Sequence, residues 1–270
     1  MSKTGLGGGA SKESKRACWH LNPRPEVEGV SAPRVFYLGT VPVYLYGMMI
    51  GLAIAVGMYF GLKEARRKGL DEEKVLDLIL YMVVAGLLGA RLVYVAFNLD
   101  YYLTNPLRVL MVFDGGLSFH GSVLGAVLVA VWHTRRYRLN FWKLADTFTP
   151  SLALGYAIAR VGCDIFGVPT QVAWAVNIDG IPRHPVQVYA SLTNYLFFFL
   201  LWKGRERVQV DGSLFLTYAI LYSVYRFFIE FFRNSQMAYG LSIAQWASLG
   251  IGLGAVVLFL MRRKKGSLLT

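Results

Sequence analysis

Seven stretches of this 270-residue chain are apolar for long enough to cross a bilayer as helices, over roughly 43–62, 75–97, 117–132, 144–166, 186–202, 212–232 and 242–261. A spanning helix needs about 20 predominantly apolar residues, and the third stretch is the shortest and least secure of the seven. None alternates polar and apolar residues with a period of two, which argues against a transmembrane barrel. With 55% hydrophobic and 16% charged residues, a soluble monomer of this size could not hide its apolar side chains. The same figures exclude a disordered chain, a disulfide scaffold and a collagen-like repeat. The expected fold is therefore all-α, a polytopic membrane protein with seven transmembrane helices.

The net charge of +12 would point to nucleic acid in a soluble protein. Here the distribution of Lys and Arg explains it instead. The loops 63–74, 133–143 and 203–211 and the tail after 261 hold 16 basic residues, whereas the intervening loops 98–116, 167–185 and 233–241 hold one each. By the positive-inside rule the C-terminus faces the cytoplasm and the N-terminus the exterior. The basic tail at the N-terminus opposes this orientation and is outvoted by the loops. The reading divides the chain into a basic flexible tail over 1–40, a seven-helix domain over 41–262 and a basic cytoplasmic tail over 263–270. No cleavable secretory signal is expected in the first 35 residues. The two cysteines, Cys18 and Cys163, form neither a disulfide framework nor a metal motif. Gly-x-x-x-Gly spacings at Gly47–Gly51, Gly57–Gly61, Gly121–Gly125 and Gly250–Gly254 are read as sites of close helix packing.

Arg91, Arg160 and Arg226 lie inside predicted spans, where each costs roughly 2.5–3.5 kcal/mol near a helix centre. Asp146, Asp164 and Glu230 are the acids within reach, so internal ion pairs are one reading. Glu230 follows Arg226 at i+4 and would neutralise it, which leaves Arg91 and Arg160 seeking an anion. A guanidinium fork suits a phosphate, and a membrane supplies phosphates on its lipid headgroups. Two segments add polar candidates at the outer interface. In "FDGGLSFHG", Asp114-Gly115-Gly116 forms a turn and His120 enters the third span, either packed or as a proton acceptor. In "IPRHPVQVY", Pro182 and Pro185 lead into the fifth span and place Arg183 and His184 at the interface, as headgroup contacts or in catalysis. Tyr46 begins the first span among interfacial aromatics.

Together these residues resemble the bacterial phosphatidylglycerol–prolipoprotein diacylglyceryl transferase family. The similar stretches are "VYLYGMMIGLAIAVG" near 43–57, "GARLVYVAF" at 89–97, "DGGLSFHGSVLG" at 114–125, "LADTFTPSLALGYAIARVG" at 144–162, "RHPVQVY" at 183–189 and "YSVYRFFIEFFR" at 222–233. The resemblance implies an enzyme of the bacterial cytoplasmic membrane, needing no metal or cofactor. It would move a diacylglyceryl group from phosphatidylglycerol to the lipobox cysteine of a preprolipoprotein signal peptide and release glycerol phosphate. By resemblance Arg160 and Arg226 hold the lipid phosphate and His120 accepts the proton. Tyr46, Arg91, Asp146, Arg183, His184 and Glu230 then serve substrate binding, with Glu230 orienting Arg226.

One segment departs from the family. Its signature reads roughly Gly-Arg-x-Gly-Asn-Phe-x-Asn-x-Glu-x-x-Gly, and here only Arg160 and Gly162 hold. Cys163 stands at the first Asn position, Val168 at the Glu position, and Ala190 where a Glu usually follows the tyrosine of "RHPxQxY". A non-catalytic lipid-binding paralogue or assembly subunit is therefore the rival expectation. A transporter is a further one, but the matched halves it would call for are not visible.

Overall fold

The computed structural model describes residues 35–38, 41–111, 115–233 and 237–267. Residues 1–34 and 39–40 of the N-terminal tail, Cys18 among them, and Asp114 lie outside the described residues, whereas 35–38 of that tail form a strand. Among those described there are eight α-helices and three two-stranded antiparallel hairpins. The chain opens with the hairpin β1 (Val35–Leu38) and β2 (Val41–Tyr44), then runs through α1 (Leu45–Arg67), α2 (Glu72–Phe97), the short α3 (Leu99–Thr104), α4 (Phe119–Arg136) and α5 (Phe141–Val161). The hairpin β3 (Val176–Ile178) and β4 (Ile181–Arg183) precedes α6 (Val186–Gly204) and α7 (Ser213–Ile229). A last hairpin, β5 (Met237–Ala238) and β6 (Leu241–Ser242), leads into α8 (Ile243–Ser267).

Local chemistry sets most of the helix starts. Asp71 accepts from the Glu73 and Lys74 amides, Asn140 from those of Trp142 and Lys143, and Ser118 from that of Gly121, so orphan amides of the first turns are bound by short side-chain oxygens. α7 is capped from elsewhere: Asp146 of α5 accepts from Gly212 N at 2.7 Å and Phe215 N at 2.8 Å. Predicted boundaries move by a few residues where the backbone turns. The fourth stretch ends at Val161 because the chain turns at Gly162, and the first helix begins at Leu45 because residues 41–44 are strand.

α5 is the central helix. It packs against α1, α6 and α7, while α2 pairs with α4 and α7 with α8. A core of Ala53, Leu154, Ile158, Phe197, Phe198, Leu201 and Leu214 joins α1, α5, α6 and α7. The Gly-x-x-x-Gly pairs divide. At Gly121 and Gly125 a Cβ would collide with the backbone of Gly89 and Ala85, so these glycines let α4 and α2 meet backbone to backbone. Gly61 packs on Phe148 and Gly57 more loosely on Ser151, but Gly47, Gly51, Gly250 and Gly254 have nothing within 4 Å of such a Cβ. For those four the expected close packing does not occur among the described residues.

Among the described residues four helical segments are long and apolar enough to cross a membrane: α1, α2, α7 with its following 3₁₀ turn (together Ser213–Phe232), and α8 over Ile243–Lys264. Many large apolar side chains point outward, Leu92 at 65% and Phe199 at 58% exposure among them, an arrangement suited to lipid and costly in water. α4, α5 and α6 coincide with the remaining predicted stretches but carry more polar residues.

Candidate active site

Consecutive long helices joined by short turns alternate in direction, so the start of α1, the end of α2, the start of α4, the end of α5, the start of α6 and the end of α7 share one end of the bundle. Tyr46, Arg91, His120, Arg160, Arg183, His184, Arg226 and Glu230 all lie at or near that end. Asp146 does not. It is 14 residues before Arg160 on α5, about 21 Å along the helix axis, and both its oxygens are spent on α7 amides. The expected substrate contact is replaced by a helix cap.

Arg91 also finds a structural task. Its five N–H donors meet five carbonyls: Nε donates to Val109 O at 2.9 Å, Nη1 to Gly115 O at 2.7 Å and Gly116 O at 3.0 Å, and Nη2 to Met111 O at 3.1 Å and to Arg108 O. The side chain is buried and stacks over Tyr102. The anion it was expected to seek is supplied as carbonyl dipoles of the loop between α3 and α4. Gly116, at φ +72°, leaves room that a Cβ would take from Tyr94 and Arg91.

Arg160 is placed differently. From the last turn of α5 its Nη2 donates to Tyr156 Oη at 2.8 Å and its Nη1 to Cys163 Sγ at 3.3 Å, and it lies 4.9 Å from the Tyr156 ring. Among the described residues no carboxylate pairs with it, and three of its N–H donors make no hydrogen bond. Tyr222 Oη reaches Tyr156 Oη at 3.5 Å, and both Arg160 and Arg226 lie within electrostatic reach of Tyr222 and Tyr225. Arg226 pairs with Glu230 at 2.6 Å, as the i+4 spacing predicted, and Arg233 approaches the same carboxylate at 3.8 Å. Burial and the neighbouring Arg226 and Arg160 charges hold the Arg233 pKa below its ordinary value. Three guanidinium groups thus share one neighbourhood in which Glu230 is the carboxylate that pairs two of them.

Tyr46 joins this group across helices. A Cβ on Gly162 would stand 2.9 Å from the Tyr46 Cα and from Leu45 O, so glycine there lets the start of α1 close on the end of α5. Tyr46 comes within electrostatic reach of Cys163, Arg160 and Tyr156. On the far side lies a cavity of about 590 Å³ between α6 and α7, lined by Phe197, Leu221, Val224, Tyr225, Phe228 and Phe232 and edged by Trp174, His184 and Tyr189. Trp174 Nε1 donates to Tyr189 Oη at 2.7 Å, and that hydroxyl meets His184 Nδ1 at 3.2 Å. Arg183 Nη1 donates to Gly167 O at 3.2 Å and ties the β3–β4 hairpin to the segment after α5. His120 sits in the first turn of α4, exposed beside Phe119. No hydrogen bond, ion pair or ring contact among the described residues links it to Arg160 or Arg226.

This end of the bundle therefore combines free donors on Arg160 with an apolar cavity between α6 and α7, a form suited to an anionic lipid. The prolipoprotein diacylglyceryl transferase family profile matches residues 33–261. The chain belongs to that family. It is 35% identical to the phosphatidylglycerol–prolipoprotein diacylglyceryl transferase of Bacillus cytotoxicus over 263 positions, 91% of this chain and 96% of the relative. It is 37% identical to that of Bacillus mycoides over 246 positions, 85% and 91% of the two chains. Membership of this transferase family accounts for the polytopic build. Sequence reasoning passed over Tyr156, Tyr222 and Arg233, although spacing marked each of them. Tyr156 lies four residues before Arg160, Tyr222 four before Arg226 and Arg233 three after Glu230, all one helical turn away.

Proposed function

We propose that this chain transfers the diacylglyceryl group of phosphatidylglycerol to the lipobox cysteine thiol of preprolipoproteins in the bacterial cytoplasmic membrane. The observation that carries the reading is the state of Arg160: half-buried, held on two donors by neutral groups, with three donors left for a ligand and within electrostatic reach of Tyr225, which lines the apolar cavity. In the proposed reaction the sulfur–carbon bond forms as the bond between the diacylglyceryl carbon and the phosphate oxygen breaks. The electron pair leaves on glycerol phosphate, where Arg160 and Arg226 stabilise the developing charge. The thiol proton passes to the imidazole of His120. Glu230 orients Arg226, Tyr46 contacts the headgroup, and Arg183 and His184 flank the entry of the signal peptide. Acyl chains lie along α6 and α7. The bundle spans the membrane seven times, with α4, α5 and α6 joining the four more apolar segments.

The test is transfer by the purified protein in detergent with phosphatidylglycerol and a lipobox peptide. The expected result is a peptide gaining one diacylglyceryl group with equimolar release of glycerol phosphate, and loss of about a hundredfold or more in Arg160→Gln. Cys163 at the amide position of the signature favours the non-catalytic lipid-binding paralogue. A folded wild type that binds phosphatidylglycerol and yields no product would establish that alternative.

A further inference from the structure

Arg160 is useful to a phosphate only if its fork points one way, and two side chains set that direction. Tyr156, one turn earlier, takes an Nη2 hydrogen and lies under the guanidinium; Cys163, in the turn that closes α5, takes an Nη1 hydrogen. Cys163 is buried at 5% exposure, and its own amide bonds back to Arg160 O at 3.2 Å. The sulfur is thereby fixed to the same turn as the group it holds. A neutral thiol is a weak acceptor, so the aromatic face and hydroxyl of Tyr156 supply what an amide oxygen would otherwise give. The remaining donors emerge between these two holds.

Resting on the reading above, we propose that Tyr156 and Cys163 form a clamp that orients Arg160 toward the lipid phosphate, with the Cys163 thiol as a positioning residue. Neither group touches the reacting atoms. Their removal leaves the positive charge in place and costs its direction. The effect falls first on the affinity for the anionic lipid, and packing at the end of α5 is affected little, because a thiol is small and Gly162 beside it already meets α1 closely.

The experiment uses the full-length protein carrying C18S, with C163A, C163N and Y156F added separately. It reads KM and kcat for phosphatidylglycerol, lipid binding in nanodiscs and thermal unfolding. C163A is expected to raise the KM for phosphatidylglycerol about tenfold with a smaller change in kcat, the scale of one hydrogen bond to a charged group. Y156F should act in the same direction, and C163N, which restores an oxygen acceptor, should recover the wild-type KM. A C163A protein with wild-type KM and binding overturns the clamp. So does one whose unfolding temperature falls with its activity and which C163N does not rescue, since that is the behaviour of a packing residue. A C18S protein that binds lipid but gives no transfer overturns the catalytic reading instead, and the binding comparison between C18S and C163A still decides the clamp.

Discussion

At the scale of single residues, three arginines that look alike in the sequence have three different lives. Arg91 is saturated by carbonyls, Arg226 is paired with Glu230, and Arg160 keeps donors to spare. Arg91→Lys therefore leaves a buried ammonium with three donors where five carbonyls wait. The expected cost is about 3 kcal/mol, seen as an unfolding temperature lower by several degrees and as faster proteolysis between residues 106 and 111. Arg160→Gln should leave the unfolding temperature near the wild-type value while transfer collapses. The Arg226–Glu230 pair could be foretold because both partners sit on one helix at a fixed spacing. The Arg91 arrangement could not, because its acceptors are backbone atoms 17 to 25 residues away whose path depends on the loop itself. The place of Cys163 was hidden for a related reason: its sulfur accepts from Arg160 across the turn that closes α5, a contact that depends on where the chain turns.

Elements show the same division. Identical Gly-x-x-x-Gly patterns behave differently because a motif records only that a backbone can be approached, and the neighbour decides whether it is. Gly121→Ala would push a methyl group into Gly89 O and to 2.7 Å from Val93 Cβ. It should destabilise the α2–α4 pair by about 2 kcal/mol or more, or prevent insertion. Gly254→Ala faces open space within the chain and should be neutral or slightly stabilising, as alanine favours helix. Thermal unfolding of the two variants side by side measures the difference. Asp146→Asn belongs at this scale too. One of its two oxygens becomes an NH₂ that cannot accept from Gly212 or Phe215, and the start of α7 should weaken by about 1 to 2 kcal/mol. Transfer by the fraction that remains folded should be unchanged, which separates a cap at the far end of the bundle from a substrate contact. Hydropathy placed all seven long helices and marked α4 as the least secure span, and α4 is indeed absent from the four most apolar, while α5 and α6 are absent too. α5 packs against α1, α6 and α7, and its buried Thr147 and Thr149 donate to its own preceding turn, at Lys143 O and Ala145 O, so these hydroxyls are satisfied within the helix.

For the whole molecule, the decisive matter is which end faces out. The site residues gather where α1 begins and α5 and α7 end, and the opposite end carries a buried Glu64 ringed by Arg67, Lys68 and Arg205. Three cations around one carboxylate leave that end positive, as the cytoplasmic surface should be. At Lys68, burial pulls the amine below its ordinary pKa against the pull of Asp146 and Glu64, so the ring holds its charge in a partly desolvated setting. If the seven-span orientation is correct, the β3–β4 region and the α6–α7 loop lie on opposite sides of the membrane. Gln171→Cys and Arg207→Cys, both at exposed positions, test this in a C18S background, where the remaining Cys163 is buried and the parent protein should stay unlabelled. A membrane-impermeant maleimide added to intact spheroplasts should label Gln171→Cys at once and Arg207→Cys only after permeabilisation. The reverse pattern would put the arginine cluster on the cytoplasmic side. A lipobox cysteine arriving on the outer face of a translocating signal peptide would then have no access to the lipid these residues hold.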